Sequence, residues 1–120
     1  MNWIKHEYLV PIFLGNGKET LESARALRRV TNARPLIFAP KFELFQGLRF
    51  DCHKVSPWRD ELLLLSLIDL ADELEEYKYS AIIYGDEKRD FVLSNITELE
   101  SRFTLISREE LMSILEGKEK

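Results

Sequence analysis

The residues with most chemical promise are Gly15-Asn16-Gly17-Lys18, which follow the apolar run Pro11-Ile12-Phe13-Leu14. Glycines between a strand and a helix leave backbone amides free to meet an anion. A dinucleotide fingerprint would need a third glycine, and Thr20 stands there. No acid closes the second strand, where Lys41 is near and Glu43 comes late. A nicotinamide or flavin cofactor is therefore not expected. Gly17-Lys18-Glu19-Thr20 superficially resembles a P-loop, but Ile12 stands at the upstream glycine position and Glu19 at the hydroxyl position. What remains is a turn that could hold a small anion at Gly15, Asn16, Gly17, Lys18 and Thr20, with Asp86 as a carboxylate across the crevice.

Other chemistry has less support. His6 and Cys52-His53 are of metal-ligating type, but adjacent side chains on a strand face opposite ways, so no metal site is expected. No Gly-x-Ser-x-Gly elbow is present for acyl transfer by serine. A receiver domain needs acids at the end of its first strand, and Leu14-Gly15 offers none. Asp86 and Asp90 serve equally well as capping or solvated residues. No catalytic residue is assigned.

The elements that must position these residues are marked by punctuation. Pro11 to Gly15 reads as a buried strand with proline at its first position. Asn16 and Glu19 are spaced as a capping box for a helix striped by Leu21, Ala24, Leu27 and Val30, which Arg34-Pro35 breaks. Leu36 to Ala39 is a second strand. Lys41 to Leu48 reads as a loop with a helical turn, and Phe50 to Val55 as a third, less buried strand. Ser56-Pro57 looks like an N-cap followed by proline at the first helical position, opening a helix to about Tyr77. Tyr79 to Tyr84 is a fourth strand, ended by Gly85-Asp86. Asp86 is placed to cap a short helix through Phe91 and Leu93. Thr97-Glu98-Leu99-Glu100 reads as a box for another. Phe103 to Ile106 is a fifth strand, and Ser107-Arg108-Glu109-Glu110 opens a last helix to about Glu116. Apolar strands alternating with helices imply an α/β fold, a parallel sheet covered on both faces. Right-handed crossovers leave two common orders, 3-2-1-4-5 and 2-1-3-4-5.

The 120 residues suffice for one domain, 1–120, and not for two. Net charge is −4, unevenly spread: residues 1–60 hold 10 Lys/Arg against 6 Asp/Glu, and residues 61–120 hold 7 against 15. Nucleic-acid binders are usually basic overall, so no nucleic acid is expected. Arg25, Arg28, Arg29 and Arg34 read as a solvated helix face. No apolar run is long enough for a membrane span and no signal-peptide core is visible. The lone Cys52 suits a reducing compartment, and a cytoplasmic location is expected.

The run Pro11-Ile12-Phe13-Leu14-Gly15, Ala24-Arg25 on the first helix, Gly85-Asp86, and Asn95, Leu99 and Phe103 in the spacing Asn-x-x-x-Leu-x-x-x-Phe together resemble the N-terminal domain of ATP-grasp ligases. The nearest kind is the carboxylate–amine ligases of the D-aspartate ligase and carbamoyl-phosphate-synthase-like type. That resemblance implies a pre-ATP-grasp domain, Rossmann-like and three-layered, with a five-stranded parallel sheet in order 3-2-1-4-5. It also implies acyl-phosphate formation from a carboxylate and ATP, then attack by an amine, on an ATP-grasp core that holds ATP and magnesium. The core's lysines, acids and substrate-clamping arginine would lie beyond Lys120, so this chain is expected to bind no cofactor and to supply walls and amide donors. Asn16-Gly17-Lys18 departs from the family's more usual acid-containing loop. A stand-alone binding or interaction module of the same fold is the alternative. Partners follow: an ATP-grasp core, or a second copy meeting Leu62, Leu64 and Leu65, which make the start of the long helix apolar nearly all round. The competing expectation buries those leucines within the chain against Phe42, Phe45 and Phe50.

Overall fold

The computed structural model describes residues 3–118. Five parallel strands, β1 (Leu9–Leu14), β2 (Leu36–Ala39), β3 (Asp51–Lys54), β4 (Tyr79–Tyr84) and β5 (Thr104–Ser107), form one sheet in the order β3-β2-β1-β4-β5. This is the Rossmann-like arrangement, and it decides between the two orders the sequence pattern leaves open. Helices α1 (Lys18–Val30) and α5 (Arg108–Lys118) cover one face, where Phe13, Ile37, Ile83 and Ile106 meet Leu27 and Leu111. Helices α2 (Asp60–Glu73), α3 (Arg89–Ser94) and α4 (Ile96–Glu100) cover the other, where Ile12, Phe38 and Ile82 meet Leu63, Leu67, Val92 and Leu99. Consecutive residues of β1 and of the Ala81-Ile82-Ile83 stretch of β4 thus feed opposite cores, which is why both runs are apolar. At the sheet's edge β3 is exposed along its whole length, between buried Phe50 and Val55.

Several local expectations are corrected. β1 starts at Leu9, so Pro11 lies inside a central strand. Its missing N–H costs no ladder bond. Gly15 N–H points to Phe38 O, so every second residue back, Pro11 included, points to β2, where pairing begins only at Ile12 with Leu36. Ser56 and Pro57, joined by a cis bond, lie in a bend, and α2 opens at Asp60 behind an extended Arg59. Residues 56–58 instead carry Trp58 down against the α2-side core, a burial that outweighs a local cap. α2 ends at Glu73, not near Tyr77. Leu74 turns extended, and a turn from Glu75 O to Lys78 N–H (3.0 Å) swings the chain into β4. Thr97 lies within α4 rather than capping it; Asn95 precedes that helix and donates to Phe91 O at 2.9 Å, closing α3. At α5 the serine half of the expected box forms: Glu110 N–H donates to Ser107 Oγ at 3.1 Å.

Leu63 is buried and Leu64 half-buried against the α2-side core, whereas Leu62 is 37% and Leu65 57% exposed. Phe42 and Phe50 pack on the opposite, α1-side core, and Phe45 faces solvent. Burial of Leu62 and Leu65 against those phenylalanines is therefore ruled out by topology. Among the described residues no helix is long and apolar enough to cross a membrane.

Candidate functional site at the carboxyl ends of β1 and β4

β1 and β4 are sheet neighbours, so the loops at their carboxyl ends meet. β1 delivers Gly15, which is buried at φ +106°, and whose N–H extends the ladder to Phe38 O at 2.7 Å. Only glycine takes that backbone without strain. From the other bank, the turn Asp86–Lys88 after β4 lays the Glu87 carboxylate on Gly15, in the space a Cβ there would fill. A Cβ on Gly17 would stand 3.6 Å from Glu87 Oε2, so the same carboxylate overlies the whole Gly15-Asn16-Gly17 turn.

The loop's other residues are placed as follows. Asn16 does not cap α1. Its amide pairs with that of Gln46: Gln46 Nε2 donates to Asn16 Oδ1 at 2.6 Å, and Asn16 Nδ2 to Gln46 Oε1 at 3.2 Å and Lys41 O at 3.0 Å. This ties the β1–α1 loop to the β2–β3 connection, and the tie displaces the cap. Gly17 becomes the N-cap, extended at φ −72° and ψ 161°, with no side chain on the first amides of α1. Lys18 is exposed at the first turn, and Thr20 is buried behind it. Arg108, opening α5, lies beside Gly85 and donates from Nε to Glu19 O at 3.3 Å, adding a guanidinium to the rim.

Asp86 neither caps a helix nor faces the glycine turn. It accepts from Arg89 at 3.1 Å, and Arg89 reaches Glu109 at 2.6 Å as well. The Asp86 hydrogen bond holds the Arg89 guanidinium above its ordinary pKa. Lys88 pairs with Asp60 at 3.0 Å and sits 4.7 Å from the Trp58 ring centre. The expected set thus comes together in Gly15, Gly17, Lys18 and Thr20. Asn16 faces the neighbouring connection, and Asp86 is spent on Arg89. Glu87 and Arg108 were missed by sequence reasoning. Glu87 is one residue from Asp86 in a turn whose rotation decides which acid points inward, and no periodic signal encodes that.

Cys52 and His53 part as strand geometry requires. His53 stacks on Phe38 (4.4 Å between centroids) while Cys52 lies near Phe50 O. Among the described residues no three His, Cys, Asp or Glu side chains gather as a metal site. Chemically, the crevice offers backbone amides, a movable carboxylate and cations, the means to hold a small anion. A depression of about 340 Å³ lies elsewhere, lined by His6, Thr31 and Asn32 near the amino end of β1.

Comparison of the chain with protein-family models, with curated proteins and with solved structures finds no match.

Proposed function

We propose that residues 1–120 form the substrate-side N-terminal domain of an ATP-dependent carboxylate–amine ligase of the ATP-grasp type, without catalytic power of their own. The observation that carries this reading is the strand order. It is the order the resemblance implies, and it sets the two glycine ends, Gly15 and Gly85, on neighbouring strands. The other residues of the resemblance take framework positions: Ala24 and Leu99 are fully buried, Asn95 separates α3 from α4, and Phe103 N–H closes on Leu99 O at 2.8 Å.

ATP with magnesium does not fit this chain's own residues. Asp86 is tied to Arg89, and among the described residues no acid cluster is spaced to hold a metal. The domain's task is then to receive a small carboxylate. The amides from Gly17 to Thr20 would take its oxygens, with Glu87 swinging off the glycine turn so that the two anions do not meet. Isothermal titration with ATP–magnesium should give no heat, and turnover assays of the chain alone should give no ADP. Amino acids should shift amide NMR signals at Gly15 to Thr20, and an ATP-grasp core added in trans should restore amide formation. Metal-dependent ATP turnover by this chain alone would overturn the reading. Amide shifts without restored ligation by any such core would favour the stand-alone binding module.

A further inference from the structure

Most arginines of this protein are occupied. Arg34 bonds Asp51, Arg89 bonds Asp86 and Glu109, Arg102 bonds Glu98, Arg59 lies near Glu61, and Arg108 reaches Glu19 O. Arg25, Arg28, Arg29 and Arg49 make no such bond, and all four line one depression of about 160 Å³ floored by Phe50. Glu22, one turn before Arg25, does not pair with them. A second depression of about 400 Å³ shares Arg25, Arg49 and Phe50 and is walled by Leu44, Phe45 and Leu48. These three are 82%, 71% and 72% exposed, and Phe45 holds φ at +71°, a strained backbone for a phenylalanine. Unpaired guanidiniums beside uncovered apolar side chains are the composition of an interface centre, not of a solvated helix face.

The complementary surface is on the same molecule. The outer face of α2 and the turn after it present exposed Leu62 and Leu65 with Asp69, Asp72, Glu73 and Glu76, and none of these acids has a hydrogen bond or ion pair. One surface joins apolar groups to four unpaired cations, the other joins leucines to four unpaired anions. A nucleic acid would leave the leucines without a counterpart, and an anionic membrane would leave the acidic face uncovered. We propose that two copies of this chain associate through these unlike surfaces, the arginine-lined depression of one receiving the outer face of α2 of the other. The two surfaces lie on opposite faces of the sheet: α1 and the β2–β3 connection build the first, and α2, which follows β3, builds the second. A two-fold axis along the strands lets both contacts form at once and closes the pair.

Sedimentation of the full chain tests this. A concentration-dependent dimer is expected, its dissociation constant raised about tenfold or more by high salt. Arg28→Glu with Arg29→Glu, and separately Asp72→Arg with Glu73→Arg, should each sediment as monomers with native circular dichroism. Mixed, the two variants should form a dimer, because each reversed surface then meets its opposite. Leu65→Asn, which touches no charge, should weaken the wild-type dimer and provides a second variant that leaves α1 intact. A wild type that stays monomeric at every concentration overturns the proposal. So does a charge-reversed variant that dimerises unaided, or a folded pair that fails to combine. Binding of duplex DNA or phosphatidylserine vesicles by a strictly monomeric chain would assign the arginines to that ligand instead.

Discussion

The carboxylate of Glu87 rests on the α-carbon of Gly15, filling the place where any other residue would carry its side chain. Two constraints therefore coincide at one position, the left-handed backbone and the overlying acid. Gly15→Ala should destabilise the fold by about 1–3 kcal/mol from the backbone alone. Glu87→Ala, an exposed truncation, should stay within about 0.5 kcal/mol. The overlying atoms are the far end of a flexible side chain, so the carboxylate can move off an added methyl and the φ penalty decides the loss; in the double variant the two losses should add in urea unfolding. Partial rescue would mean that the carboxylate is held in place.

The Asn16–Gln46 amide pair joins the glycine turn to the β2–β3 connection. Asn16→Ala should cost about 1–2 kcal/mol through the lost bonds and the partner left unpaired. Gln46→Ala should do the same, since Gln46 Oε1 also accepts from Glu43 N–H. Removing both should cost clearly less than the sum. Hydrogen exchange at Leu48 and Arg49 should quicken in either variant.

Three serine or threonine residues that the sequence offers as caps can be told apart by truncation. Ser107→Ala should lose about 1 kcal/mol, because its oxygen satisfies an orphan amide of α5. Ser56→Ala and Thr97→Ala should each stay within about 0.5 kcal/mol, since neither side chain caps a helix. Thermal unfolding of the three variants side by side checks the ranking.

Partial loss of water around the Cys52 thiol, on a strand otherwise exposed, holds it above its ordinary pKa; Arg34 pulls it down and Asp51 pushes it up, and the desolvation prevails. A raised thiol pKa means less thiolate at a given alkaline pH. Iodoacetamide should therefore alkylate the folded chain more slowly than the urea-unfolded chain, with the midpoint of its pH–rate profile displaced upward. Asp51→Asn should move that midpoint back down. A midpoint below that of free cysteine would contradict the assignment.

Most strands were legible as short apolar runs between breakers, whereas the polar, exposed β3 was marked by the buried Phe50 and Val55 that flank it. Leu36–Ala39 and Tyr79–Tyr84 fall where the pattern puts them, since strands buried on both faces leave little else to read. The strand order was not legible from pattern, because β1 can pair on either side with equally apolar partners; the resemblance supplied it. Local caps were legible only where no distant group competed. Ser107 keeps its cap, whereas Asn16 gives its cap up to Gln46 and Ser56 yields to the burial of Trp58. That Arg49 and Phe50 stand beside the exposed arginines of α1 was not legible, because the β2–β3 connection brings them there, a contact that helical spacing does not encode.

The central position of β1 has a consequence for how the protein is made. The strand leaves the ribosome ahead of β2 and finds it soon after, but its other edge pairs Leu9 with Tyr79 and Phe13 with Ile83. Until β4 has been synthesised, the nascent chain carries a bare row of backbone donors and acceptors beside apolar Ile12 and Phe13, a template for pairing with other unfinished chains. The step that joins β4 to β1 brings Tyr79 back to Leu9, so its loop-closure cost falls late. A ribosome stalled short of Tyr79 should display a chain that trigger-factor-type holdases retain. One stalled with β4 fully emerged should release it.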